Sequence, residues 1–163
     1  MELRKHLNWR GLFVGLYVLA FGIYIAIGLQ PAEASDYVIS GTLSIPKLSL
    51  TSEVTALTLE NGQLNTPDTI VGSYTRAPHK TLLIGHSTTV FRELDKVEPG
   101  DDIYYNDKIY RVIKREVLAK PDISMGKLLR REEEDTLVIM TCAGELIENG
   151  DATHRLIITA SIL

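Results

Sequence analysis

Three residue types in this chain could together carry out acyl-transfer chemistry. Cys142 is the single cysteine among 163 residues. It closes the apolar run Thr136-Leu137-Val138-Ile139-Met140-Thr141, and Ala143-Gly144 follow it. This pattern predicts a strand over 136–141 that Ala143-Gly144 break, with the thiol held at a rigid end yet facing a loop, as a nucleophile requires. A lone cysteine also fills core space well, and from this residue alone both readings stand. The reactive form is the thiolate, so a cysteine nucleophile calls for a neighbouring imidazole. Of the four histidines, His6 precedes a long apolar segment, His79 lies beside Pro78 in a loop and is expected to face solvent, and His154 directly precedes Arg155. His86 ends a strand expected over 81–86 and is followed by Ser87-Thr88-Thr89, a setting that mirrors that of Cys142. A histidine that merely caps a loop is the competing reading. Acyl transfer also needs a donor for a developing oxyanion. Arg155 opens a last strand expected over 155–163, 13 positions after Cys142. If that strand neighbours 136–141, the connecting loop returns Arg155 to the side of Cys142. A salt bridge from Arg155 to Glu145, Glu148 or Asp151 is the alternative use of the guanidinium.

Mostly short strands must position these groups. Strand-like runs are expected at 38–46, 48–56, 69–75, 81–86, 102–105, 109–118, 136–141 and 155–163, about eight in all. Asn106-Asp107-Lys108 reads as a short hairpin turn. Two short helices are expected. One spans Thr88–Asp95 and stops before Pro99-Gly100; the other spans Asp122–Arg131, with Asp122 or Ser124 as cap and Leu128-Leu129 facing inward. Many short strands with few helices give an all-β domain, and composition alone leaves barrel and sandwich open. The acidic stretches Asp101-Asp102 and Glu132-Glu133-Glu134-Asp135 are expected to be solvated faces. No cofactor or metal motif is present, and neither is an acidic cluster that demands calcium.

Ahead of this domain, Gly11 to Leu29 is a run of 19 uncharged residues. As a helix it would extend about 28 Å, close to the hydrocarbon thickness of a bilayer. Arg4, Lys5 and Arg10 precede it, and Glu33 and Asp36 follow. The basic side stays in the cytoplasm, which orients the rest of the chain outward. The expected organisation is a cytoplasmic terminus at 1–10, a signal-anchor transmembrane helix at 11–29, a linker at 30–39 and a catalytic domain at 40–163. Ala32-Glu33-Ala34 would fit a cleavage site, but the apolar run exceeds the usual signal-peptide core of about 7–15 residues. Both readings put the domain outside the cytoplasm, where an unpaired cysteine stands out as a reactive thiol. The net charge of −4 argues against a nucleic-acid partner.

Gly85-His86-Ser87, Thr141-Cys142 after an apolar strand, and Arg155 on the last strand together resemble the sortases. Leu43-Ser44-Ile45-Pro46-Lys47-Leu48 is similar to that family's first strands. Phe91-Arg92-Glu93-Leu94 through Val97-Glu98-Pro99-Gly100-Asp101 resembles its helix and following turn. Ile139-Met140 replace the usual leucine two places before the Thr-Cys pair, and the loop 143–154 is short. The class is left open, with Thr69–Thr75 pointing toward the class D/E/F side. The resemblance implies an eight-stranded β-barrel with one or two short helices, preceded by one N-terminal transmembrane helix. It implies a single-pass protein of a Gram-positive-type cell membrane with its catalytic domain outside. Its activity would be cleavage of an LPxTG-like sorting signal by Cys142, with His86 and Arg155 as partners and Thr141 beside the substrate. The thioester would pass to an amine of a peptidoglycan precursor or a pilin, with no cofactor. A cysteine peptidase that hydrolyses the same acyl-enzyme and a non-catalytic envelope peptide-binding barrel are the alternatives.

Overall fold

The computed structural model describes residues 37–147 and 151–163. The anchor and linker expected at 11–29 and 30–39 fall wholly or mostly on residues outside those described. Ten strands follow one another: β1 (Ile39–Ile45), β2 (Leu50–Ala56), β3 (Leu59–Glu60), β4 (Gln63–Leu64), β5 (Val71–Ala77), β6 (Lys80–Ile84), β7 (Asp102–Tyr105), β8 (Lys108–Ala119), β9 (Thr136–Leu146) and β10 (Ala152–Ile162). Eight of them close into a barrel in the order β1-β2-β5-β6-β9-β10-β8-β7, while β3 and β4 form a separate two-stranded hairpin. Closure resolves the choice between barrel and sandwich, and it leaves the barrel sheet without a free edge. The seam is the short antiparallel pairing of Leu43 and Ser44 with Tyr105 and Tyr104. The β2–β5 and β6–β9 pairs are parallel; the other barrel pairs are antiparallel.

Alternation along the strands sorts side chains between two apolar layers. Leu83, Leu137, Ile139, Leu156 and Ile158 point into the barrel, where they meet Leu43, Ile45, Val54 and Phe91 in the main core. Their sequence neighbours Leu82, Val138 and Ile157 point outward, yet they are equally buried. They are covered by Leu129 and by the half-buried Ile123, Leu128, Leu64 and Tyr74. The segment between β8 and β9 therefore roofs one outer face of the barrel. This accounts for the continuous apolar character of 136–140: the strand is buried on both faces.

The short helices differ from expectation. Over 88–95 the chain makes successive turns and only a 3-10 segment, Leu94–Lys96. Backbone bonds along the stretch reach three residues back, as in Arg92 N–H to Thr89 O and Leu94 N–H to Phe91 O, and Phe91 and Leu94 are both buried. Over 122–131 a 3-10 turn, Lys120–Asp122, precedes one helical turn, α1 (Met125–Leu128). Ser124 is its cap, accepting from Lys127 N–H, and Leu129 behind it is buried as expected. The Asn106-Asp107 turn forms between Tyr105 and Lys108, with Asn106 in the left-handed region that asparagine tolerates (φ 54°).

The acidic run is not simply solvated. Glu132 pairs with the buried Lys80 at 3.1 Å, which pins the roofing segment to β6. Asp135 accepts from Lys108 and shares a 2.6 Å hydrogen bond with His79 Nδ1. His79 therefore has a partner rather than only solvent. The trio joins the β5–β6 turn, the β7–β8 turn and the start of β9. Lys108 first, then His79, holds the Asp135 carboxyl below the usual carboxylate range. The unfolded chain takes up this proton more readily, so the contribution is complete above the ordinary aspartate titration near pH 4 and fades as pH falls through the depressed folded value. Asp135→Asn should be less stable than wild type in urea unfolding at pH 6, and the gap should shrink as the pH is lowered below about 4. A gap unchanged from pH 6 to pH 2 would show that the charge plays no part.

Candidate active site

The strand registers generate the site. On β6 and β9, Leu82 pairs with Val138 and Ile84 with Met140. On β9 and β10, Met140 pairs with Ile157 and Cys142 with Arg155. Two residues along from Ile84, Met140 and Ile157 come His86, Cys142 and Arg155, one from each neighbouring chain segment. Strand alternation puts Cys142 and Arg155 on the same outward face as Met140 and Ile157. The structure thus brings the thiol, the imidazole and the guanidinium to one cavity of about 420 Å³, which all three line.

Each group has its own local support. Cys142 is half-buried and is not at a strand end, because β9 continues through Ala143 and Gly144 to Leu146. Gly144 adopts φ 78°, and the register slips by one residue between Ala152 and His154. The expected break is therefore a bulge within a β9–β10 hairpin, the position where glycine supplies the left-handed conformation. It bends the hairpin just past Cys142.

His86 lies two residues beyond the end of β6. Gly85 N–H donates to Met140 O at 3.4 Å, and the Thr141 hydroxyl donates to Gly85 O at 2.7 Å. A Cβ on Gly85 would come within 2.5 Å of Val90 and 2.7 Å of Phe91, so only glycine lets the turn sit this close to the core. The ring nitrogen Nε2 lies 3.4 Å from Thr66 O and 3.7 Å from an Asp68 carboxylate oxygen. Thr141 lines the cavity but is 4% exposed, and its hydroxyl is committed to Gly85. What it visibly does is tie the cysteine strand to the histidine turn.

Arg155 is largely buried, at 15% side-chain exposure. One terminal nitrogen donates to Ala152 O and His154 O, both at 2.9 Å, and the other donates to Asp151 at 2.6 Å. Among the described residues, the acidic partner that Arg155 meets is Asp151, and this contact coexists with its place on the cavity wall. Asp151 also accepts from Lys120, and the two cations hold its carboxyl far below the usual range. The guanidinium has five donors. Three are spent on this anchor, leaving the rest for a ligand. His154 faces away from Cys142, pairs with Ala143 and shares a 2.8 Å hydrogen bond with Thr153.

Other walls of the cavity went unread in the sequence. Leu59, Gly62 and Leu64 come from the β3–β4 hairpin, Met125 and Leu129 from the roofing segment, and Tyr74 and Arg76 from β5. The hairpin does carry a signal: Asn61 and Gly62 both have positive φ, 50° and 79°, as the two-residue Asn-Gly turn demands. Tyr74, Arg76 and the roof carry no such local mark, because only pairing and packing bring them there. Among the described residues, no cluster of His, Cys, Asp or Glu is arranged to hold a metal ion.

The closed eight-stranded barrel thus carries a cysteine, a histidine and an arginine on the wall of one cavity. The family model described as Sortase domain matches residues 43–163, and the chain belongs to the sortase family. It is 31% identical over 111 residues to Sortase D of Bacillus subtilis (strain 168), a match covering 63% of this chain. The chain spans about half of that relative's length, 54%. Its fold is similar to that of a lid mutant of Sortase A from Corynebacterium diphtheriae, with a TM-score of 0.62 and 20% identity over 81% of this chain and 74% of the other. It is also similar to the pilus-related Sortase C of Group B Streptococcus, with a TM-score of 0.58 and 22% identity over 80% and 69%.

The Thr141 tie yields a direct test. Thr141→Val keeps the shape but leaves Gly85 O without its buried donor, at a cost of about 1–3 kcal/mol. Urea unfolding should register that loss, and faster amide hydrogen exchange should be confined to the His86 turn. Unchanged stability and exchange would mean that the tie is unimportant.

Proposed function

We propose that the protein is a membrane-anchored cysteine transpeptidase with Cys142 as nucleophile, His86 as proton donor and Arg155 as oxyanion and substrate ligand. The observation that carries this reading is the pairing of Cys142 with Arg155 at the cavity that His86 also lines. Family membership supports the reaction class. The sulfur attacks the carbonyl carbon of the scissile peptide bond, and negative charge develops on that carbonyl oxygen. Arg155, on the cavity wall, offers its remaining donors to this oxygen and stabilises the charge, which is worth most where water is excluded. The C–N bond then breaks, and the His86 imidazolium gives its proton to the leaving amine. The acyl group remains on Cys142 as a thioester. A second amine attacks this thioester and loses a proton to His86, and the acyl C–S bond breaks, so the new amide leaves and the Cys142 thiolate returns. Two proton transfers through one imidazole balance the cycle.

The substrate is an LPxTG-like sorting signal, and the acceptor is an amine of a peptidoglycan precursor or a pilin. The apolar cavity walls Leu64, Ile84, Met125 and Met140 suit the aliphatic part of such a signal. The segment 11–29 would tether the domain to the outer face of a cell membrane, and the 31% identity to a Sortase D favours a class D-like protein.

The test is mass spectrometry of the intact protein after incubation with LPxTG-like peptides, followed by addition of an amine. The wild type should carry the acyl mass on Cys142 and release an amide product. Cys142→Ala should carry none, and His86→Ala should lose turnover. Arg155→Ala should lose about 100-fold or more in kcat/KM. Arg155→Lys should restore little, because lysine lacks the planar fork. Release of the free acid alone, even with the amine in excess, would favour a hydrolysing peptidase. Peptide binding unaffected by Cys142→Ala, with no acyl-enzyme in the wild type, would favour a binding barrel.

A further inference from the structure

The charge along the cavity runs against the charge of the chain. The protein carries a net −4, yet among the described residues the cavity is lined by Arg76, His86 and Arg155 and by no carboxylate. Two of these residues already have acidic neighbours: Arg155 is held by Asp151, and His86 stands 3.7 Å from Asp68. Arg76 differs. It is exposed on β5, and among the described residues it makes neither an ion pair nor a hydrogen bond. Arg76 lines the cavity, and its five guanidinium donors have no partner among the described residues.

Arg76 stands at the opposite end of the cavity from the thiol. Tyr74 pairs with Leu82 and Ala77 with Lys80, so Arg76 is level with the start of β6, whereas His86 lies beyond its far end. Counting strand rise and the two intervening strand spacings, Arg76 and Cys142 are roughly 15–20 Å apart between backbones. An extended peptide covers that distance in about five residues. Between them the wall is apolar, formed by Tyr74, Ile84, Met125 and Met140. A ligand matching this sequence of surfaces has a scissile carbonyl at one end, an aliphatic stretch in the middle and an anionic group at the other end.

We propose that Arg76 is a specificity-determining residue that reads a carboxylate side chain about five residues from the bond being broken, so that the preferred substrates are acidic peptides. This rests on the acyl-transfer reading above and adds a second recognition point remote from the reacting atoms. Arginine suits the role because its fork accepts a carboxylate through two parallel hydrogen bonds. At this exposed position the pair adds a modest, salt-sensitive preference.

The test uses peptides with one LPxTG-like core and Glu, Gln or Lys at five or six residues to the amino-terminal side of the scissile bond. Binding is read by fluorescence anisotropy on Cys142→Ala, and turnover is read on the protein with its thiol intact. With Arg76 present, Glu should exceed Gln by about 3- to 10-fold in affinity and in kcat/KM at the best position. The ratio should fall toward one in high salt. Arg76→Gln should bring the ratio to about one, and Arg76→Glu should favour the Lys peptide. Equal use of Glu and Gln by the wild type would overturn the proposal, as would an acid preference that survives Arg76→Gln. An Arg76-dependent preference in binding without any acyl-enzyme would uphold the acid reading and defeat the transpeptidase reading. Turnover with no charge preference would do the reverse, and no binding of any peptide would sink both.

Discussion

The registry of β6, β9 and β10 is the constraint on which the site depends. Parallel pairing of Ile84 with Met140 and antiparallel pairing of Met140 with Ile157 set three chains side by side at one level. Advancing two residues on each reaches His86, Cys142 and Arg155, which lie 56 and 13 positions apart in sequence. A slip of one residue in either pairing would turn Cys142 toward the interior or Arg155 away from it. The register is held by burial on both faces. Leu83, Ile139 and Ile158 fill the barrel, while Leu82, Val138 and Ile157 fill the space beneath the roof. A slip would exchange the two layers at Thr141 and Arg155, placing polar groups where nothing satisfies them. The polar reagents are thus located by apolar packing several residues away.

That packing also explains why the site lies where it does. The outer apolar layer ends at Ile84, Met140 and Ile157. Beyond it the roof stops, and the barrel face opens into the cavity. Small polar devices fix the last few ångströms: the Thr141 hydroxyl on Gly85 O, the left-handed Gly144 after Cys142 and the Asp151 carboxylate behind Arg155. Each acts on a different member of the trio, so the geometry is defined by three independent supports on one rigid sheet.

Much of this was legible in the residues. Alternation and apolar runs marked all eight barrel strands, and the strand-then-break settings read for His86 and Cys142 pointed to two residues that share a cavity with Arg155, although Cys142 lies within β9 and His86 lies beyond β6. The boundaries were less legible. Gly144 reads as a strand breaker by composition, but pairing with β10 carries the strand through it as a bulge. The 88–95 stretch has helical spacing, and Phe91 and Leu94 three apart are both buried as that spacing implies, but the backbone there forms turns and a 3-10 segment. The Asn61-Gly62 hairpin was readable from its dipeptide and went unread because its strands are only two residues long. Tyr74, Arg76, Met125 and Leu129 belong to the cavity only through tertiary packing, and no local pattern could reveal them.

The central claim is that the sheet presents thiol, imidazole and guanidinium to one acyl carbon. A crystal structure of the protein acylated at Cys142 by a peptide carrying an electrophile at the scissile carbonyl would test it most directly. The account predicts an Arg155 nitrogen within about 3.5 Å of the former carbonyl oxygen and a His86 ring nitrogen at similar range from the leaving-group position. An adduct on Cys142 whose carbonyl oxygen points away from Arg155, with His86 turned out of the cavity, would contradict it.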